Sequence, residues 1–220
     1  VLLAGLNAPG TTTVIETLPT RDHTENLLRV FGAEVSIEEI GSESHIALVG
    51  QPELRAQEVI VPGDPSSAAF PLVAALITRD SKVMVQGVGV NDRRAGLFQC
   101  LLEMGAELTI DPVETVCGEP VANLTARTSS LKGIEVPAER APCMIDEYPI
   151  LAMAAACAHG TTVMHGLGEL RLKESDRLAA IAEGLRNCGV ETLVEEDVLT
   201  VVGAGPDSIP EGGGRVATRC

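Results

Sequence analysis

The chain repeats itself at intervals of about 75 residues, and that period limits the fold more than any single motif does. Three amphipathic helical patterns end in similar turns: Gly32-Ala33-Glu34, Gly105-Ala106-Glu107 and Gly189-Val190-Glu191, recurring after 73 and then 84 residues. Glycine suits the position just past a helix C-terminus, where the backbone turns left-handed. A strand candidate precedes each pattern: Gly10 to Val14, Ser81 to Val85, Gly160 to Met164. Another follows each one: Ala33 to Ile37, Ala106 to Ile110, Val190 to Val194. β-Branched residues and alternation support these strands.

Two further segments match each other. Val61-Pro62 leads to the apolar run Ser67 to Ile77, and Val136-Pro137 leads to Tyr148 to Ala158. Apolarity on every side predicts helices buried all round. The predicted unit is strand, buried helix, strand, amphipathic helix, strand, strand, with a new unit opening near Pro62. The class is α/β. Val1 to Leu6 reads as the tail of a buried helix, Leu199 to Val202 closes the third unit, and Gly212 to Thr218 opens another. The register therefore predicts a piece of a longer protein, cut at both ends.

Composition narrows the partners. A net charge of −15 argues against nucleic acid or an anionic membrane, both of which need a basic face. With 2% aromatics, no Trp and only Tyr148, base stacking has no platform. The six cysteines form no C-x-x-C pair or Cys/His cluster, so no zinc or other metal site is expected. Most sit in apolar surroundings and read as buried small hydrophobes. No signal peptide and no apolar run of about 18 residues is visible, which places the expected protein in the cytoplasm.

In so acidic a chain an anion site must gather its cations locally. Lys173-Glu174-Ser175-Asp176-Arg177 does so, just before a helix marked by Leu178, Ile181, Ala182 and Leu185. Backbone N–H groups at a helix start, Lys and Arg can all face one anion. On charge alone the segment reads first as a solvated helix start with local salt bridges. Arg21 is a second cation before a helix, that of Leu27, Leu28 and Phe31, where Asp22-x-x-Glu25 reads as a capping box.

Lys173 to Leu178 resembles the signature of the 5-enolpyruvylshikimate-3-phosphate synthase (3-phosphoshikimate 1-carboxyvinyltransferase) family. Gly63-Asp64-Pro65-Ser66-Ser67, Arg21-Asp22-His23-Thr24-Glu25, Met144-Ile145-Asp146-Glu147-Tyr148-Pro149 and Asn7-Ala8-Pro9-Gly10 agree with it, in order, along essentially the whole chain. Arg21-x-His23-x-Glu25 resembles the class II branch, often glyphosate-tolerant. Asn91-Asp92-Arg93-Arg94 departs from that branch's usual Thr-Arg.

The resemblance implies an inverse α/β barrel of six units in two domains, with residues 1–61 ending the first (shikimate 3-phosphate-binding) domain and 62–220 forming most of the second. It implies transfer of enolpyruvyl from phosphoenolpyruvate to shikimate 3-phosphate with release of phosphate, in aromatic amino acid biosynthesis, with no cofactor. It further implies a monomer when full length, with glyphosate as a candidate inhibitor.

The chemistry requires a carboxylate near the hydroxyl, an acid near the methylene, and cations around the phosphates. By resemblance Asp146 accepts the hydroxyl proton and Glu174 shuttles the proton of the methylene group. Arg21, Asp146 and Lys173 bind shikimate 3-phosphate, and Arg177 binds phosphoenolpyruvate through its fork. Each has a structural alternative. Asp146 can cap the helix behind it, Arg21 can pair with Asp22 or Glu25, and the others can form a surface cluster worth at most about 1 kcal/mol. Glu147 and His23 read as structural, Asp64 as a helix cap, and Gly212-Gly213-Gly214 as a flexible connection without the Lys-Ser/Thr of a P-loop.

The resemblance also places some substrate-binding cations outside this segment, so the isolated chain is expected to turn over little. Competing readings are an inert fragment or binding module, and a transferase acting on UDP-N-acetylglucosamine.

Overall fold

A computed structural model describes residues 1–18, 20–205, 210 and 212–216. The repeat governs its architecture. The first unit holds a short helix α1 (Leu2–Gly5), β1 (Thr11–Glu16), α2 (His23–Val30), β2 (Val35–Ile40) and β3 (Glu43–Val49). The second holds α3 (Pro65–Ile77), β4 (Lys82–Gly89), α4 (Gly96–Glu103), β5 (Glu107–Val116) and β6 (Glu119–Arg127). The third holds β7 (Glu135–Val136), α5 (Tyr148–Ala156), β8 (His159–Met164), α6 (Arg177–Asn187), β9 (Thr192–Glu195) and β10 (Val198–Ala204). The observed order is the predicted one, save that no strand precedes α3 in the second unit.

Each unit builds its own sheet, and the last strand of the unit lies between the other two: β1-β3-β2, β4-β6-β5 and β8-β10-β9. These pairings are antiparallel, as in Thr11↔Val49, Lys82↔Arg127 and Leu199↔Met164. In the third unit β7 adds a parallel edge on β8, with Val136 opposite Met164. In the second the equivalent strand shrinks to one parallel bridge, Gly63↔Val88.

The three predicted turns are one motif repeated. Gly32, Gly105 and Gly189 have φ of +95°, +86° and +81°. In each, the glycine N–H bonds the carbonyl three residues back and the next residue's N–H reaches five back: Ala33 to Leu28, Ala106 to Leu101, Val190 to Leu185. This is the paired bonding of a Schellman helix end.

Packing separates two cores. Leu2, Leu28, Ala33, Ile46 and Leu48 form one. The larger is built on α3 and α5, with Leu72, Leu76, Leu151 and Ala155 at its centre and Leu178, Ala182 and Leu185 of α6 against it. Residues 52–62 run between the two without regular structure.

Several expectations need correction. The two apolar helices are not buried all round: Phe70 is 58% and Met153 38% exposed. α3 packs on β4, β6, α5 and the Ile145–Glu147 turn, and Phe70 stands clear of them. Among the described cysteines only Cys100 is buried, while Cys117, Cys143, Cys157 and Cys188 are half-buried free thiols. Gly212 to Val216 forms no strand. That segment lies against the end of α6, where Gly212 N–H reaches the Cys188 carbonyl and Asn187 donates to the Arg215 carbonyl at 3.0 Å. Thr218-Arg219-Cys220 falls outside the described residues. Among those described, no helix is long and apolar enough to cross a membrane.

Candidate functional site

The site is assembled from turns that enter helices. Arg21 lies two residues before α2. Asp146 lies in a 3-10 turn, Ile145–Glu147, that runs into α5. A second 3-10 turn, Gly168–Leu172, delivers Lys173 and Glu174 to the loop before α6. There Asp176 caps the helix, accepting from Ala179 N–H at 2.9 Å, and Arg177 is its first residue. Arg177 alone of the charged run is therefore helical.

Four of the five expected site residues join in one line of contacts. Arg21 Nη2 stands 3.1 Å from Asp146 Oδ2, and Arg177 Nη1 stands 3.4 Å from Asp146 Oδ1. Arg177 also grips Glu174 with two bonds, Nε to Oε1 at 2.8 Å and Nη2 to Oε2 at 3.0 Å. Lys173 stands apart from this line, its Nζ paired with Glu169. All five keep part of their side chains in solvent, from 27% for Lys173 to 62% for Glu174. The fork of Arg177 holds the Glu174 carboxyl below the usual carboxylate range, and Glu174 in turn raises Arg177. Each cation of the site is thus neutralised by a neighbouring carboxylate, which an anion could replace.

Three local readings change. Asp146 is not the cap of α5. Glu147 holds the N-cap position, and its side chain makes no capping bond. The preceding 3-10 turn already supplies helical backbone, and Pro149 has no N–H to satisfy. Asp22 holds the N-cap position of α2, but no capping box forms. Its carboxylate accepts instead from Asn91 Nδ2 at 2.7 Å. Arg21 pairs with neither Asp22 nor Glu25 but with Asp146.

Asp64 does cap its helix, accepting from the N–H groups of Ser66 and Ser67 at 3.1 and 3.0 Å. Burial raises its pKa, but the bonds from Ser67 and Ser66 outweigh that and leave it lowered. His23 Nδ1 lies 2.9 Å from Glu119. Burial pushes Glu119 up, while His23, Asn91 and Asn26 together hold it below its ordinary value. Asp22, His23 and Glu119 bring three potential metal-ligand atoms within 4.8 Å of one another. Asn91 bridges the two carboxylates of this group, donating to Glu119 at 2.9 Å as well, so they already share a donor.

Around this line lie residues to which sequence reasoning assigned no site role. Glu147 is 2% exposed and receives Arg94 Nη1 at 3.2 Å and a bond from Ser66 Oγ. Arg93 Nη1 donates to the Thr20 carbonyl at 3.0 Å, next to Arg21. The available signal was the unusual pair of arginines after Asn91-Asp92. A cavity of about 370 Å³ opens beside them, lined by His23, Leu27, Val61, Asn91, Arg94 and Glu119 among others.

Comparison with known proteins adds independent evidence. The profile of the family described as EPSP synthase (3-phosphoshikimate 1-carboxyvinyltransferase) matches residues 1–218. A 3-phosphoshikimate 1-carboxyvinyltransferase of Rhodospirillum rubrum is 60% identical over 219 residues, covering 99% of this chain and 48% of that protein. One of a Methylobacterium species is 61% identical over 221 residues, covering 99% and 49%. The solved EPSP synthase of Acinetobacter baumannii superposes with a TM-score of 0.84 at 45% identity, covering 93% of this chain and 45% of that one. The enolpyruvyl transferase NikO of Streptomyces tendae gives 0.68 at 27% identity, with the same coverage. The chain spans about half the length of the curated relatives it matches. Its repeated units are those of the enolpyruvyl transferase inverse α/β barrel. From profile, relatives and fold together, the chain belongs to the EPSP synthase (3-phosphoshikimate 1-carboxyvinyltransferase) family.

Proposed function

We propose that this chain supplies the acid–base carboxylates and several anion-binding cations for enolpyruvyl transfer from phosphoenolpyruvate to shikimate 3-phosphate. The observation that carries the reading is the line Arg21–Asp146–Arg177–Glu174, drawn from three distant segments. Two carboxylates lie along it with guanidinium groups between and beside them. Arg21 and Lys173 bind shikimate 3-phosphate, and Arg177 turns its fork from Glu174 to phosphoenolpyruvate. Asp146, relieved of one arginine, accepts the hydroxyl proton as that oxygen adds to the enol carbon. Glu174, released by Arg177, takes a proton from solvent water and relays it to the methylene carbon. The tetrahedral adduct then loses phosphate, which leaves with the proton held by Asp146. Glu174 takes a proton back from the new methyl group, restoring the double bond. Exchange of partners thus turns an internally neutralised site into one with two free carboxylates.

Residues 1–61 and 62–220 belong to different domains in this reading. The separate cores and the irregular segment 52–62 support the division. The protein works in the cytoplasm as a monomer on these small molecules, without nucleic acid, membrane or cofactor, and glyphosate is its candidate inhibitor.

Titration of the chain with shikimate 3-phosphate, followed by NMR, tests the reading. Shifts are expected at Arg21, Asp146 and Lys173, and Lys173→Ala should remove them. Equal response to UDP-N-acetylglucosamine would favour the other transferase class, and silence toward all of these ligands would favour an inert fragment.

A further inference from the structure

Each of the three amphipathic helices is entered by a cationic loop: Arg21 before α2, Arg93-Arg94 before α4, and Lys173 to Arg177 before α6. The outer two loops send arginines to Asp146. The middle loop does not reach it, and its arginines are 24% and 10% exposed. Arg93 turns toward the first unit. It donates to the Thr20 carbonyl at 3.0 Å and stands 3.7 Å from Glu16 and 3.8 Å from Asp22, so its contacts fall on both chain neighbours of Arg21. Arg94 turns the other way. It reaches both oxygens of Glu147, at 3.2 and 3.4 Å, and Ser66 Oγ at 2.7 Å, with Asp64 at 3.7 Å. Glu147 is the chain neighbour of Asp146.

The loop is itself fixed. Asn91 accepts from Arg93 N–H at 2.9 Å and its carbonyl accepts from Arg94 N–H at 2.8 Å, while its amide holds Asp22 and Glu119.

We propose that Arg93 and Arg94 form a clasp that sets the separation of Arg21 from Asp146. They are positioning residues of the transferase site described above, and the inference rests on that reading. Arg21 belongs to the unit with the smaller core and Asp146 to the part with the larger one. Adjacent residues grip the two sides, and adjacent Cα atoms are about 3.8 Å apart across a trans peptide. The register between the two sides is therefore fixed to within one residue. A buried ion pair such as Arg94–Glu147 adds little stability beyond that of well-packed apolar side chains. What it adds is a fixed direction for the turn that carries Asp146.

Hydrogen exchange read by mass spectrometry tests the clasp on the 220-residue chain without any ligand. Arg93→Gln should speed exchange in residues 17–26 and leave 143–148 unchanged. The double variant Arg94→Gln/Glu147→Gln, which leaves no buried charge unpaired, should do the reverse. Both should bind shikimate 3-phosphate at least about tenfold more weakly, as misplacement of site groups by an ångström costs up to about a hundredfold. Arg93→Lys, which keeps a donor for the Thr20 carbonyl, should restore both exchange and binding.

Unchanged protection, uniform loosening of the whole chain, or native affinity in both variants would overturn the clasp. If the unsubstituted chain fails to bind shikimate 3-phosphate, the transferase reading falls, and the exchange pattern alone still decides whether the clasp exists.

Discussion

Arg21 and Asp146 are 125 residues apart in the chain, yet Nη2 of one stands 3.1 Å from Oδ2 of the other. Their side chains are 41% and 36% exposed, so water screens the pair. Such pairs contribute about 0.2–1 kcal/mol. Asp146→Asn should therefore lower stability by less than about 1 kcal/mol, read by urea unfolding. Its effect on shikimate 3-phosphate should be far larger, about tenfold or more by calorimetry, because in the proposed function the carboxylate aims Arg21 and meets the hydroxyl. A large stability loss with unchanged binding would make Asp146 a structural residue.

Glu25 shows the opposite balance. It lies in the first turn of α2, is only 4% exposed, and has its pKa raised, first by burial and then by Asp22 and Glu16. A carboxyl with a raised folded-state pKa binds more protons folded than unfolded, so stability falls as pH rises from the unfolded to the folded value. Above both, the folded chain carries an unfavourable buried charge. Glu25→Gln should raise Tm at pH 7 by about 1–3 °C, and the gain should shrink as the pH drops below about 4. A gain that persists in acid would point to packing instead.

The three glycine turns were legible because their chemistry is local. Only glycine adopts φ near +86° without strain, so Gly105 marks its helix end in the sequence as clearly as in the fold. A Cβ there would meet nothing within 4 Å, so Gly105→Ala tests backbone strain alone and should cost about 1–2 kcal/mol in urea unfolding. Gly133→Ala should cost more, because its Cβ would collide with the Thr161 carbonyl oxygen.

The cap on α3 was equally legible, since Asp64 bonds residues two and three positions along. Asp64→Ala should lose about 0.5–2 kcal/mol. With its pKa lowered, that contribution is complete above the usual carboxylate range and disappears as pH falls through the folded value. The Asp64→Ala penalty, measured by urea unfolding across pH, should therefore vanish in acid.

What the sequence hid depends on contacts between distant segments. Asp22 has the spacing of a capping box, but Asn91 takes its carboxylate from 69 residues away. Local propensity has no knowledge of that competitor. Arg93 and Arg94 read as a departure from a family pattern and disclosed no partner, because Thr20 and Glu147 lie 73 and 53 residues off. The apolar runs of α3 and α5 predicted burial, and hydropathy cannot say which neighbours cover each face. Asp146 is a candidate site residue through resemblance alone. Its release from capping follows from a 3-10 turn that no periodicity marks.

The grip of Arg177 on Glu174 makes ligand binding a proton-linked event. That fork holds the Glu174 carboxyl below its ordinary range. In the proposed function phosphoenolpyruvate competes for the same fork, and once released Glu174 returns toward its usual affinity for protons. Between the lowered and the ordinary value the free protein carries fewer protons than the complex, so binding should take protons up. Calorimetry near pH 4 in buffers of different ionisation enthalpy should show that uptake, and none at pH 7. Glu174→Gln should abolish the linkage and tighten phosphoenolpyruvate binding, because Arg177 no longer has a charged competitor. A loss of affinity in Glu174→Gln would instead mean that the carboxylate supports the ligand, and the exchange of partners would have to be abandoned.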